Sequence, residues 1–234
     1  MKASCIVPCL ILAVVLMNAT SFEVFSTVAE TNMTQTTYQG KRLQEWIAAL
    51  DDRDPESRSK AAKAVAQFGE DAVPSLKTAL EHKSEWVRCG AAEAIGQIGP
   101  KAEAAIPALA AALKDEVALV RAVAASNLIG MGSKGRPAVA ALKETLPDKN
   151  VVVRLRAAQA LVAIDAGSDD SSIPVLVDSL KQDIEFVRSD AAIILGDMGA
   201  RAKVAVSALN AALKDPSPDV RNAAATALKK IGGR

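Results

Sequence analysis

Along most of the chain, apolar residues return in steps of three and four, and that pattern itself recurs over a much longer interval. Val-Arg pairs stand at 87–88, 120–121, 153–154, 187–188 and 220–221, spaced by 33, 33, 34 and 33 residues. Each is followed by a small pair: Ala91-Ala92, Ala124-Ala125, Ala157-Ala158, Ala191-Ala192 and Ala224-Ala225, with Arg58 and Ala61-Ala62 opening the series. Larger residues follow at Val65, Ile95, Leu128, Leu161, Leu195 and Leu228, then at Phe68, Ile98, Met131, Ile164, Met198 and Ile231. The three- and four-residue steps place them on one side of an α-helix, which predicts the buried face of the first helix in each unit.

The next position is Gly69, Gly99, Gly132, Gly199 or Gly232, where a helix end favours a left-handed backbone. The fourth unit has Asp165 there, and its connection through residues 166–170 carries the extra residue behind the single interval of 34. Such an insertion costs little on a surface loop. A second helix is predicted from the Leu pairs 76/80, 109/113, 142/146, 176/180 and 209/213, with Pro74, Pro107 and Pro174 in its first turn, where a missing N–H is tolerated.

The segment from Leu43 to Leu50 aligns with the second helices through Trp46, and Arg221 to Ile231 forms a first helix. The expected architecture is therefore a half-unit at 41–50, units at 54–80, 84–113, 117–146, 150–180 and 184–213, and a terminal half-unit at 217–234. Lys229, Lys230 and Arg234 suit the polar outer surface that an end helix needs. These residues resemble the HEAT-like repeats first named in phycobilisome lyase proteins, whose units open Asp-Pro-x-x-x-Val-Arg-x-x-Ala-Ala; Asp215-Pro216 through Gly232 is similar throughout. The resemblance implies an all-α fold, an α-α superhelix of twelve antiparallel helices in stacked hairpins.

The arginine column invites reading as an anion-binding stripe, but Asp115, Asp148 and Asp215 each lie six residues before an Arg. In the family such acids and arginines form a ladder between neighbouring units, which gives Arg58, Arg88, Arg121, Arg154, Arg188 and Arg221 a structural role. His82 and Gln182 stand in the acid's place in two units, with Asp183 beside Gln182 as a substitute. Catalytic chemistry is poorly supplied. His82 is the single histidine, so the paired His-Glu iron ligands of deoxyhypusine hydroxylase, a HEAT-type enzyme, have no counterpart. Cys89 occupies the column of Ser59, Ala122 and Ser189 and reads as a small, partly buried residue. Asp165, Asp169 and Asp170 lack the acid spacing of a calcium loop and read as a turn capped by Ser171 or Ser172. Trp46 is expected to plug the first interface, and Trp86 is the other candidate anchor. No catalytic residue, cofactor or metal ligand is assigned.

Composition narrows the partners. Twenty-eight basic and 27 acidic residues leave a net charge of +1, which offers no global attraction for nucleic acid or an anionic membrane. Lys2 followed by the apolar run Cys5–Met17 reads as an export signal over 1–21, with cleavage as late as 29, then a Thr-rich linker over 22–40. An uncleaved anchor is the alternative. Asn18 and Asn32 head glycosylation triplets, relevant in a eukaryotic secretory route, and removal of Cys5 and Cys9 would leave Cys89 alone.

The expected protein is a non-catalytic scaffold or adaptor, secreted or held in the periplasm or envelope, with no membrane insertion of the mature chain. In HEAT-type solenoids the second helices line the inner face, the usual place for an extended partner. The residues beside the Leu pairs are Lys77, Thr78, Ala110, Ala111, Lys143, Glu144, Val177, Asp178, Asn210 and Ala211. This strip is expected to bind a protein or extended peptide. The alternatives are an enzyme or enzyme-associated protein, lyase-like or hydroxylase-like, and a purely structural module; the oligomeric state is open.

Overall fold

The structure, a computed structural model, describes residues 37–164 and 170–232. The expected signal, most of the Thr-rich stretch, both glycosylation triplets, Cys5, Cys9, Asp165, Asp169 and Arg234 lie outside the described residues. The chain divides into two compact units, one ending at Leu43 and the other running Gln44–Arg234.

The first unit contains a small antiparallel hairpin, β1 (Thr37–Tyr38) and β2 (Lys41–Arg42), with Thr37 opposite Arg42 and Tyr38 opposite Lys41. Gln39 and Gly40 both have positive φ, 50° and 75°, as a two-residue hairpin turn of the I′ class requires. The end of the expected linker is therefore a strand and a turn.

The second unit is a row of helix pairs, with twelve α-helices among the described residues. The first helices are α2 (Pro55–Ala66), α4 (Glu85–Ile98), α6 (Ala118–Met131), α8 (Val151–Ile164), α10 (Glu185–Asp197) and α12 (Pro218–Gly232). The shorter second helices are α1 (Leu43–Ala48), α3 (Val73–Ala79), α5 (Ile106–Ala112), α7 (Val139–Thr145), α9 (Ser172–Ser179) and α11 (Val206–Ala212). Asp54 starts α2 by accepting the Ser57 N–H at 2.9 Å, with Pro55 in the position where its missing N–H is harmless. Pro74 and Pro107 sit likewise in the first turns of α3 and α5.

Four glycines end the first helices with left-handed φ: Gly69 at 58°, Gly99 at 70°, Gly132 at 52° and Gly199 at 57°. After each comes a 3₁₀ segment, Gly69–Ala72, Gly99–Ala105, Gly132–Ala138 or Gly199–Ala205, before the second helix begins. The periodicity did not foretell these segments, because they are made mostly of Ala, Gly, Pro and charged residues without an apolar rhythm. Gly232 differs from the expectation of a left-handed stop: it remains the last residue of α12.

The core runs the length of this row. Leu76, Leu109, Leu142, Leu176 and Leu209 are fully buried, and each contributes about 1.5–3 kcal/mol through the area removed from water. The small pairs let neighbouring first helices approach closely, and at Gly196 a methyl group would meet the backbone of Ala227. At Gly96 the neighbour is the Asn127 side chain, whose Nδ2 donates to the Ala92 carbonyl at 2.6 Å. Trp46 and Leu50 are buried at the start of the row. Among the described residues no helix is long and apolar enough to cross a membrane.

Candidate functional site

Every column arginine uses Nη1 in the same way, donating to the carbonyls six and five residues before it at 2.7–3.4 Å. This ties the guanidinium to its own turn and leaves the Nε/Nη2 edge facing the next unit. Arg88 grips Asp115 there at 2.7 and 3.0 Å, Arg121 grips Asp148 at 2.7 and 2.9 Å, and Arg188 grips Asp215 at 2.7 and 3.0 Å. Each of these aspartates also accepts the backbone N–H two residues on, from Val117, Asn150 or Ser217. One carboxylate thus shapes a turn and joins two units.

The electrostatics follow from that geometry. The hydrogen bond from Arg188 holds the Asp215 carboxyl below the usual carboxylate range, and the same bond keeps Arg188 more firmly protonated. Burial opposes ionisation of Asp148, but hydrogen bonds from Arg121 and the Asn150 backbone outweigh it and lower its pKa. Arg88 is raised by its bond to Asp115, and Glu116 approaches it at 3.2 Å as a second acid that the sequence pattern missed.

Two internal rungs differ. Arg154 meets Asp178 at 3.6 Å, so Asp178, rather than the expected substitute Asp183, supplies the carboxylate. Gln182 explains this: its Nε2 donates to Asp178 at 3.0 Å, one helical turn back, and steadies that acid near Arg154. Arg58 has no carboxylate among the described residues; its guanidinium lies over Trp86, 4.1 Å from the ring centre. His82 stands in the acid's place, and its Nδ1 accepts the Ser84 N–H at 3.1 Å as the aspartates do in their turns. Arg221 likewise has no carboxylate partner among the described residues.

The described residues include no group of three His, Cys, Asp or Glu side chains arranged to hold a metal ion. Asp170 is engaged by Arg201 through Nε at 3.0 Å. The turn expected to be capped by Ser171 or Ser172 lies mostly outside the described residues; at the start of α9 Ser171 makes no side-chain capping bond to the helix, and the Ser172 hydroxyl is buried without a partner among the described residues. Cys89 is buried, and burial with the nearby Glu93 carboxylate pushes its thiol up to about 11.

The ten strip residues all lie on α3, α5, α7, α9 and α11, exposed or half-buried. Several are engaged within the chain: Glu144 pairs with Lys114 at 2.9 Å, Asp178 belongs to the Arg154 rung, and Asn210 Nδ2 donates to the Val206 carbonyl at 2.9 Å. Grooves run between successive second helices. One, about 450 Å³, has an apolar floor of Ile47, Ala48, Ala79 and Val87 and a polar rim including Thr78 and His82. Another, about 180 Å³, is lined by Ala108, Ala111 and Ala112 beside Lys114 and Glu81.

The sequence matches the family of HEAT repeats over residues 43–129 and 185–234. The chain belongs to the HEAT-repeat family. No curated protein matches it. Among solved structures, this HEAT-repeat chain is similar to the complex of CpcE and CpcF of phycocyanin lyase from Nostoc sp. PCC7120, with 25% identity, a TM-score of 0.54, and coverage of 85% of this chain and 79% of that one. It is also similar to computationally designed armadillo repeat proteins for modular peptide recognition, at 20% identity and a TM-score of 0.56, covering 80% of this chain and 99% of that one. An engineered protein shares 23% identity and a TM-score of 0.58, over 82% of this chain and 96% of that one. Those under 25% identity establish a shared α-solenoid fold.

Proposed function

We propose that this HEAT-repeat protein is a non-catalytic scaffold that holds a protein partner along its second helices, in an exported or envelope setting. One observation carries the reading: the same two positions of α3, α5, α7, α9 and α11 stay exposed or half-buried while the Leu beside them is buried, unit after unit. The groove beside Ala111 is floored by alanines, so a partner's backbone approaches closely, and the one beside Thr78 adds Ile47 and Val87 as an apolar floor. Such a surface suits an extended chain, whose side chains repeat along its length as the grooves do. The designed solenoids for peptide recognition use a similar fold and lend the reading support by analogy.

The test is selection of peptide binders on the folded protein, followed by calorimetry against Ala111→Arg, which fills the groove between α3 and α5 from an exposed position. Loss of binding with an unchanged circular dichroism spectrum is expected. Selected binders indifferent to Ala111→Arg, Thr78→Arg and Asn210→Arg alike would refute the strip. The similarity to the phycocyanin lyase complex favours a second reading, an enzyme-associated repeat protein. A stoichiometric bound chromophore or transition metal in the purified protein would select it.

A further inference from the structure

The ladder itself displays what its arginines bind. In three rungs the Nε/Nη2 edge takes a bidentate carboxylate, and the Nη1 bonds that set this pose are the same in all six. Arg58 is held by that same device, with Nη1 on the Asp52 and Arg53 carbonyls at 2.9 and 3.1 Å, yet the next unit offers it His82 in place of an aspartate. Its guanidinium face rests on Trp86, which is 43% exposed. Stacking on an indole uses the face of a guanidinium and leaves its edge N–H groups in plane for a carboxylate.

We infer that the Arg58–Trp86 pair is a receptor for an acidic side chain of a partner protein, lying on the first helices and separate from the second-helix strip. The carbonyls and the ring already restrain the guanidinium, so little side-chain freedom remains to be lost when a carboxylate arrives. Arg58 lines one side of a notch of about 200 Å³ across α2, α4 and the start of α6, whose wall includes Trp86, Cys89, Leu119 and Glu93. Glu93 repels a second carboxylate inside the notch, so the anion takes the Arg58 edge and the notch takes an apolar neighbour. The preferred element is an Asp or Glu adjoining a Leu-sized residue. Arg221 is the internal comparison: it too lacks a carboxylate among the described residues, but no ring contact underlies it, and it is predicted to respond less.

The experiment titrates the full chain, ¹⁵N-labelled, with the blocked dipeptide acetyl-Asp-Leu-amide and, separately, acetyl-Asn-Leu-amide. The Arg58 Nε–H and Trp86 indole N–H signals are followed by NMR. The Asp ligand is expected to shift both signals saturably, with the Asn ligand at least about tenfold weaker, because the charged bidentate contact is lost. Glu93→Gln is expected to tighten the Asp ligand, and Arg58→Lys to weaken it about tenfold, since an ammonium cannot make the fork. Equal response to the two dipeptides, or shifts that appear at surface lysines and leave Arg58 and Trp86 unmoved, would overturn the inference. The ligand pair leaves the wild-type protein unaltered, so the comparison remains decisive even if Arg58→Lys fails to fold. A negative result here leaves the second-helix reading intact, because the two surfaces are tested with different probes.

Discussion

Removing the acid from one complete rung is the perturbation that separates a structural ladder from a decorative row of charges. In Asp148→Ala the Arg121 guanidinium, whose side chain is 7% exposed, loses both bonds of its Nε/Nη2 edge, and the Asn150 N–H loses its acceptor. Nη1 remains fixed by the Asp115 and Glu116 carbonyls, so the charge is not free to swing into water. Leaving one member of a buried ion pair uncompensated costs about 3–5 kcal/mol, and the partial exposure of Asp148 places the expected loss near the lower end, about 3 kcal/mol. For a chain of this size that is roughly a 6–12 °C fall in Tm, at about 2–4 °C per kcal/mol. The comparison is Asp178→Ala, which breaks a 3.6 Å contact to an acid whose side chain is 59% exposed and is expected to cost at most about 1 kcal/mol. Urea unfolding followed at 222 nm reads both. Asp148→Ala no more destabilising than Asp178→Ala would refute the assignment of the rungs as the joints between units.

Acid should weaken the same joints. Asp148 and Asp215 titrate below their unfolded values in the native state, so their contribution is complete above about pH 4 and is lost as pH falls through the depressed folded values. The urea midpoint should therefore drop below pH 4, with a shallower drop in Asp148→Asn/Asp215→Asn; a midpoint that rises on acidification contradicts the pairing. Leu142→Ala, at a fully buried site in the middle of the row, is expected to cost about 2–5 kcal/mol by the same urea assay, and a loss under 1 kcal/mol would deny it a place in the core. With its thiol pushed up to about 11, Cys89 should react with iodoacetamide at pH 8 far more slowly than free cysteine in the folded protein, and labelling as fast as free cysteine would contradict its burial.

The helical rows were legible because the same offsets of arginine, paired alanines and leucines recur in every unit, so a chance match at one position is corrected by the others. The acids at Asp115, Asp148 and Asp215 stood out by their recurring offset, and the resemblance to HEAT-like repeats implied that they pair with arginines as rungs. Features without a repeat were not legible. The Thr37–Arg42 hairpin has strands too short to alternate, and its turn rests on Gln39, which sequence reading does not expect at positive φ. Asp178 reads as a strip residue because its partner Arg154 lies on another helix, outside any repeated acid–arginine offset. The Trp86–Arg58 stack crosses two units, and its one visible signal was an aromatic residue immediately before a Val-Arg pair. Leu119, Val152 and Phe186 hold that position in the next three units, where Leu119 and Phe186 are exposed.

Site-specific photocrosslinking in the cells that make the protein tests the central claim most directly. A photoreactive residue placed at Thr78, Ala111 or Asn210 should form a covalent adduct with one and the same partner protein, while the same residue at Ala163 or Thr226, exposed on first helices, should not. Adducts confined to Ala163 and Thr226, or none at any second-helix position while the protein is folded, would contradict a scaffold that works through its second helices.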